Sequence, residues 1–224
     1  MARTLVVVSA GLGSPSTTKT VADSIAKAVE AEVTARGEAL EIVPIELRSL
    51  AVELGQAMAT GGIPTPRLTE AKELIAAADG IVAATPVFSA SYSGLFKMFF
   101  DAIDPGSIEG TPVLLAATAG TPRHSLVIEH AMRPLFAYLR AVTVPTGVLA
   151  ATSDFGGDEG AEVSARIRRA AGQLAALMVA QETAVAGFAQ RPEDAERAAR
   201  AKTRIEAPVT SFQQLLRGHA GDGR

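Results

Sequence analysis

Hydroxyl residues and glycines are concentrated in one short segment near the start of the chain. This segment, Ser9–Lys19, has the sequence SAGLGSPSTTK. Glycines allow the backbone to turn sharply, and hydroxyl groups donate hydrogen bonds to anions. If a helix begins within the segment, its free N-terminal amides and its dipole also favour negative charge. The segment therefore predicts a binding site for a phosphate monoester.

Three known phosphate-binding or phosphoacceptor patterns do not fit this segment. A P-loop needs glycine directly before its lysine, and Thr18 precedes Lys19 here. A dinucleotide fingerprint needs a third glycine where Ser16 stands, and Glu46 lies much farther beyond Gly13 than the usual ~20 residues. A phosphoacceptor receiver domain needs aspartates at its strand ends, whereas the first predicted strand ends in serine. A capped helix that binds no ligand stays open as an alternative.

The segment lies between the first strand and the first helix of an alternating series. Continuous apolar runs predict strands that are buried on both faces, and apolar residues at helical spacing predict helices between them. The predicted strands are Leu5–Ser9, Leu40–Ile45, Gly80–Ala84, Pro112–Ala117 and Val142–Leu149. The predicted helices are Ser16–Arg36, Thr69–Ala78, Tyr92–Ile103, Ser125–Leu139 and Glu159–Thr183. Glu46–Pro66 is predicted to be a loop with one helical turn.

Strands that alternate with helices form parallel crossover units. We therefore predict an α/β fold, a doubly wound, five-stranded parallel sheet with helices on both faces. One domain is expected over residues 1–185. A helical or extended C-terminal tail is expected over residues 186–224, with apolar residues near its end.

Two further polar loops follow the third and fourth predicted strands. Thr85–Gly94 suits a flat ring held against backbone, with Phe88 or Tyr92 beside it. Thr118–Ser125 again places hydroxyls and a glycine where a strand gives way to a helix. One loop thus suits a phosphate, and two suit the edges of a planar ring. FMN has that shape, and the flavodoxin-like strand order 2-1-3-4-5 places it where these loops meet.

Other interpretations of these loops stay open. Phe88 could belong to the core, with the neighbouring serines as ordinary turn residues. Arg123 could pair with a cofactor phosphate or reach solvent. His124 could contact a ring or cap the following helix. Helical spacing favours a core position over ligand contact for the phenylalanines of the helix after the second loop, Phe96, Phe99 and Phe100.

The composition excludes several other classes of function. The chain has 21 lysines and arginines against 24 acidic residues, a net charge of −3, which does not indicate a nucleic-acid partner. The lack of cysteine removes disulfides, thiolate zinc sites, iron–sulfur clusters and cysteine nucleophiles. His124 and His130 are wrongly spaced for two ligands on one helical face, so we expect no metal site. Short apolar runs predict neither a signal peptide nor a membrane span, and we expect a cytoplasmic location.

The three loops resemble those of the NAD(P)H-dependent FMN reductase family, which has a flavodoxin-like fold. The likeness covers roughly Thr4–Thr183. It is carried by Ser9–Ser16, by Thr85–Lys97 with Asp101, and by Ala119–His124 with Arg133–Leu135. The chain is most similar to the branch that supplies reduced FMN to flavin-dependent, luciferase-like monooxygenases, and Thr210–Leu216 also resembles that branch.

The resemblance implies that FMN is the cofactor and NAD(P)H the co-substrate. Hydride would pass from nicotinamide to the flavin, so no side-chain acid or base is required. The first loop would hold the phosphate, the second would line the ribityl chain and ring, and the third would contact the ring edge. Backbone amides near Ser89–Ser91 would stabilise the charge of the reduced flavin. The expected cofactor-binding residues are Ser9, Gly11, Ser14, Ser16, Thr17, Pro86, Val87, Phe88, Ser89, Thr118, Ala119 and Gly120.

Two positions depart from the family pattern. Many relatives carry arginine in the first loop, where this chain has the neutral Gly11-Leu12-Gly13, and relatives usually carry tyrosine where Phe88 stands. Both changes would weaken retention of FMN, which suits a reductase that passes flavin on to a partner monooxygenase. We expect a homodimer or homotetramer, since the helices that follow the second and third loops offer apolar faces.

Three alternative functions remain at this stage. One is a quinone or azo-compound reductase that retains FMN. Another is a flavodoxin-type electron carrier without nicotinamide activity, although such carriers are usually strongly acidic and this chain is not. The third is a binding module that has kept the fold and lost the ligand.

Overall fold

A parallel β-sheet forms the centre of the fold. The computed structural model describes residues 2–154 and 159–180 of the 224-residue chain. The sheet order is β2-β1-β3-β5-β6, with β7 also paired to β5 and the short β4 paired antiparallel to β3. Because β5 is the fourth predicted strand and β6 with β7 form the fifth, the predicted order 2-1-3-4-5 is confirmed. The strands are β1 (Arg3–Ser9), β2 (Leu40–Glu46), β3 (Gly80–Phe88), β4 (Ser91–Tyr92), β5 (Pro112–Ala119), β6 (Val142–Thr143) and β7 (Val148–Ala151).

Helices cover both faces of this sheet, as predicted. Helices α1 and α6 pack on one face, and α2 to α5 pack on the other. Strand β1 shows why its apolar run is continuous: Leu5 and Val7 face the first layer, while Val6 and Val8 face the second. The helices are α1 (Thr17–Thr34), α2 (Ala51–Ala59), α3 (Pro66–Ala76), α4 (Gly94–Ala102), α5 (Arg133–Tyr138) and α6 (Glu159–Ala180).

The prediction of a loop over Glu46–Pro66 was wrong. A 3-10 turn at Leu47–Leu50 leads directly into α2, and Leu54 and Ala57 of α2 are buried in the hydrophobic core on that side of the sheet. Gly61-Gly62 and two prolines indicated irregular structure, but the glycine pair lies beyond the end of α2 at Ala59. The burial of one apolar helix face outweighs the modest cost of a glycine within a helix.

The predicted fifth strand, Val142–Leu149, is interrupted. The guanidinium of Arg133 donates hydrogen bonds to the carbonyl oxygens of Val144, at 2.9 Å, and Pro145, at 2.6 Å. Pro145 also has no amide hydrogen to offer a neighbouring strand. The chain therefore leaves the ladder after β6 and rejoins it at β7.

Two predicted helices begin later than expected. The helix predicted from Tyr92 begins at Gly94, because Ser91 and Tyr92 form β4 and the Ser93 hydroxyl caps the helix by accepting from the Phe96 amide at 3.3 Å. The helix predicted over Ser125–Leu139 begins at residue 128 with one π-helical turn, and α5 follows it.

The phenylalanines of α4 lie in the core, as predicted. Phe96, Phe99 and Phe100 are at most 2% exposed. The predicted helix end at Thr183 and the predicted tail, residues 186–224, lie outside the described residues. Among residues 2–154 and 159–180, no helix has both the length and the apolar character needed to cross a bilayer.

Candidate functional site

The register of the sheet brings the three predicted loops to one edge. Ser9 at the end of β1 lies opposite Ala84 of β3, and the Ala10 amide donates to the Ala84 carbonyl at 2.9 Å. Pro86 of β3 lies opposite Thr118 of β5. The loops after β1, β3 and β5 are therefore neighbours at the carboxyl end of the sheet, where open α/β sheets bind ligands.

A cavity of about 390 Å³ opens beside the first loop. Its volume lies within the range of small-molecule sites. Predicted residues in its lining are Ser9, Gly11, Ser14 and Ser16. Thr17 is exposed and does not line it, nor do the predicted residues of the second and third loops. The cavity therefore lies at the loop for which a phosphate site was predicted, and not at the other two loops.

The N-terminus of α1 presents free hydrogen-bond donors at the first loop. Ser16 caps the helix, since its hydroxyl oxygen accepts from the Lys19 amide at 3.2 Å. Within the described residues, the amides of Thr17 and Thr18 donate to no acceptor, as expected for the first turn of a helix. The Ser16 hydroxyl hydrogen is also unused by the cap. No acidic residue occupies the first turn of α1, so this helix end is suited to an anion.

Gly11 makes this compact loop possible. A Cβ atom at Gly11 would lie 1.9 Å from the Ser16 hydroxyl oxygen, and one at Gly13 would lie 2.8 Å from the Pro15 carbonyl oxygen. The loop therefore folds back on the helix cap more closely than any side chain would allow. This is a direct steric reason for the two glycines.

Thr18 connects the first loop to the third, a role that sequence reasoning missed. Its hydroxyl oxygen lies 2.7 Å from that of Thr118, and both residues are buried. Thr18 shares the inner face of α1 with Val21, Ala22 and Ile25. That helical spacing is a signal that could have distinguished Thr18 from the exposed Thr17.

The second loop is a tight β-hairpin. Strand β3 continues to Phe88, four residues beyond its predicted end, and pairs with β4 across Ser89 and Ala90. Both turn residues have positive φ, 49° and 66°, which is the pattern of a type I′ turn. The buried Thr85 hydroxyl accepts from the Ser93 amide at 3.0 Å and so holds the hairpin against the start of α4.

The two aromatic residues of this loop have different surroundings. Phe88 is 46% exposed, so its interpretation as a core residue was wrong. Tyr92 is half-buried and packs on Phe96, with 5.8 Å between ring centroids. Of these two aromatic residues, Phe88 is therefore the one that remains accessible to a flat ligand.

The third loop begins later than predicted. Strand β5 runs to Ala119, so Thr118 and Ala119 are buried strand residues, and Gly120 is the first exposed one. Arg123 is exposed. His124 does not cap the next helix, whose first turn at Ile128 has no side-chain cap.

The match to known proteins identifies the family. Residues 3–156 match the family described as NADPH-dependent FMN reductase. The chain belongs to this family. The predicted enzyme class and cofactors, FMN with NAD(P)H as hydride donor, are confirmed at the level of the family.

Individual relatives agree with this assignment. The FMN reductase (NADPH) of Pseudomonas aeruginosa is 44% identical over 135 residues, which is 59% of this chain and 72% of the relative. The NADH-dependent FMN reductase SfnE of Pseudomonas putida is 39% identical over 171 residues, 75% of this chain and 88% of the relative. A solved oxidoreductase from Corynebacterium diphtheriae is 57% identical, with a TM-score of 0.77, and the match covers 80% of this chain and 98% of that one.

The residues of this FMN reductase fit the cofactor. The free amides of Thr17 and Thr18 suit a phosphate, and the accessible Phe88 suits the ring. The strand register places Pro86 and Thr118 side by side at the same edge of the sheet.

The charges around the cavity were not foreseen from the sequence. Its lining includes Lys19, Asp23, Glu46 and Arg48. The Lys19 ammonium pairs with Asp23 at 3.2 Å and with Glu46 at 3.3 Å, and the Asp23 hydrogen bond, aided by Glu46, raises the pKa of Lys19 despite partial burial. Arg48 instead donates to the Gly13 carbonyl oxygen at 3.3 Å.

Proposed function

We propose that this FMN reductase binds the FMN phosphate at the N-terminus of α1, with the flavin ring over the second and third loops. The observation that carries this proposal is the pair of free amides, Thr17 and Thr18, beside a cavity lined by Ser9, Ser14 and Ser16. Amides and hydroxyls form charge-assisted hydrogen bonds with a phosphate, which are stronger than hydrogen bonds between neutral groups.

The protein contributes position rather than acid–base chemistry. When bound, FMN supplies the acceptor for the nicotinamide hydride. The hairpin turn at Ser89 and Ala90 presents backbone to the ring, because the Thr85 hydroxyl and the β3–β4 pairing fix its orientation. Pro86, Val87 and Phe88 line the ribityl chain and ring, and Thr118, Ala119 and Gly120 meet the ring edge.

We further propose that reduced flavin leaves this enzyme for a flavin-dependent monooxygenase in the cytoplasm. The support is the neutral Gly11-Leu12-Gly13 and the exposed Phe88, which offers no phenolic hydrogen bond to the flavin. Both features weaken retention without removing the ring platform. The alternative is a quinone or azo-compound reductase that retains its FMN throughout turnover.

Steady-state assays test the reductase proposal. Oxidation of NADH and NADPH should be measured with FMN, FAD, riboflavin and a quinone as separate acceptors. We expect saturable oxidation with added FMN and loss of bound FMN on gel filtration. A protein that elutes with stoichiometric FMN and turns over quinone faster than free flavin would contradict the release of flavin and favour the retaining reductase.

An oligomer is also proposed, as either a dimer or a tetramer. Leu126 and Tyr138, at the two ends of the helical segment after the third loop, are 61% and 84% exposed. Exposed apolar side chains on one segment are suited to a two-fold contact. Light scattering on wild-type protein and Tyr138→Glu should show a higher mass for the wild type, and a monomeric wild type would contradict the proposal.

A further inference from the structure

Two cations, Lys19 and Arg48, border the cavity in which the phosphate is proposed to bind. They come from different elements. Lys19 lies in the first turn of α1, whereas Arg48 lies in the 3-10 turn that follows β2. The charged groups around them also differ, and this difference decides which of the two can attract a phosphate.

The charge of Lys19 is already compensated. Its ammonium lies 3.2 Å from an Asp23 oxygen and 3.3 Å from a Glu46 oxygen. Both carboxylates also line the cavity. A phosphate approaching Lys19 would meet two negative charges together with one positive charge, so Lys19 offers little net attraction.

The charge of Arg48 is not compensated in this way. Within residues 2–154 and 159–180 its guanidinium forms no ion pair, and its hydrogen bond goes to the neutral Gly13 carbonyl. That contact uses one of five N–H donors, which leaves others for a ligand. Arg48 is exposed, but the buried Leu47 and Leu50 on either side anchor its backbone.

We propose that Arg48 is the cation that recognises the FMN phosphate in this chain. It reaches the first loop from the 3-10 turn after β2, as an exposed side chain rather than as an arginine held within the loop. Its guanidinium lies at the Gly13 carbonyl, directly before Ser14 and close in sequence to the Ser16 cap. Arg48 therefore acts on the phosphate and not on the ring, and it contributes selectivity for FMN over riboflavin.

This inference rests on the proposed phosphate site and is tested by comparing two ligands. FMN and riboflavin share the same ring and ribityl chain and differ in the phosphate. Dissociation constants for both should be measured by flavin fluorescence with wild-type protein, Arg48→Gln and Arg48→Lys. Arg67→Gln is the matched control, because it removes the same charge from an exposed residue outside the cavity.

The wild type should bind FMN about a hundredfold or more tightly than riboflavin, and Arg48→Gln should lower that ratio about tenfold. Riboflavin affinity should be unchanged in Arg48→Gln, Arg48→Lys should restore part of the ratio, and Arg67→Gln should match the wild type.

Equal weakening of FMN and riboflavin binding by Arg48→Gln would mean that Arg48 only supports the loop, and it would overturn the inference. So would an unchanged ratio, while the phosphate site itself would stand. A wild-type ratio of one would instead overturn the phosphate site.

Discussion

The hydroxyl groups of Thr18 and Thr118 lie 2.7 Å apart in the buried interior, although the two residues are far apart in sequence. This hydrogen bond joins the first turn of α1 to the end of β5. It therefore links the proposed phosphate end of the site to the proposed ring end. Neither element alone could establish that relationship.

The Thr18–Thr118 bond predicts strong coupling between two substitutions. Thr18→Val or Thr118→Val alone leaves one buried hydroxyl without its partner and should cost about 1–3 kcal/mol in the free energy of unfolding. The double variant leaves neither hydroxyl unpaired, so it should cost clearly less than the sum of the single variants. Urea denaturation of the four proteins measures this cycle. Additive losses would show that the two hydroxyls do not stabilise one another.

Close packing at Gly11 predicts that alanine substitution has opposite effects on stability at Gly11 and at Gly55. In Gly11→Ala, the new Cβ would displace the Ser16 hydroxyl, and loss of that cap should cost about 1 kcal/mol or more. Gly55 is exposed within α2 with nothing near its Cβ position, so Gly55→Ala should gain about 0.5–1 kcal/mol. Urea midpoints distinguish the two. A stable Gly11→Ala protein with unchanged FMN affinity would remove the steric argument.

The hairpin turn predicts a gain in stability from added glycine. Ala90 has a φ of 66°, in the left-handed region that costs a non-glycine residue about 1–2 kcal/mol. Ala90→Gly should therefore raise the free energy of unfolding by about 1 kcal/mol. Ala31→Gly, at an exposed position inside α1, serves as the control and should lose about 1 kcal/mol. Equal losses in the two variants would mean that the turn is not strained.

An ion pair near the third loop predicts a pH-dependent difference. Hydrogen bonding from Arg133 holds the pKa of Glu129 below its ordinary value of 4.5, against a smaller opposing effect of burial. Because the folded-state pKa is the lower one, this stabilisation is present above pH 4.5 and is lost as the pH falls through the folded-state value. The side chains are partly exposed, so the contribution should stay below about 1 kcal/mol.

Stability curves of wild type and Glu129→Gln test this effect. Wild type should be more stable at pH 7, and the difference should disappear in acid below the lowered pKa of Glu129. Other carboxylates cancel in the comparison, since both proteins contain them. A difference of the same size at pH 7 and pH 3 would be inconsistent with the ion pair as its cause.

Much of the fold was predictable because its signals are local. Runs such as Leu5–Ser9 and Gly80–Ala84 are apolar at consecutive positions, as strands covered on both faces must be. The interruption of the fifth strand was not predictable, because it depends on Arg133 reaching Val144 and Pro145 from another element. Helix α2 was missed because Gly61-Gly62 and two prolines indicated a loop, although Leu54 and Ala57 lie at helical spacing.

The candidate site was predictable in its loops and less so in its side chains. The roles of Ser16 as a helix cap and of Gly11 in a sharp turn follow from their residue types and local sequence. The importance of Thr18 over Thr17 depends on which face of α1 is buried, and this could have been inferred from helical spacing. Arg48 could not be assigned from sequence, because only the pairing of β1 with β2 brings its segment beside the first loop.

Calorimetric titration of FMN into Ser16→Asp and Ser16→Asn tests the central claim most directly. Aspartate and asparagine have the same size and are equally good helix caps, so both variants should fold, and they differ in charge alone. In Ser16→Asp, repulsion between the introduced carboxylate and a phosphate at the α1 N-terminus should abolish FMN binding. Ser16→Asn should bind FMN, and the wild type should bind it with clear saturation. Equal FMN affinity in the aspartate and asparagine variants would contradict a phosphate at the start of α1.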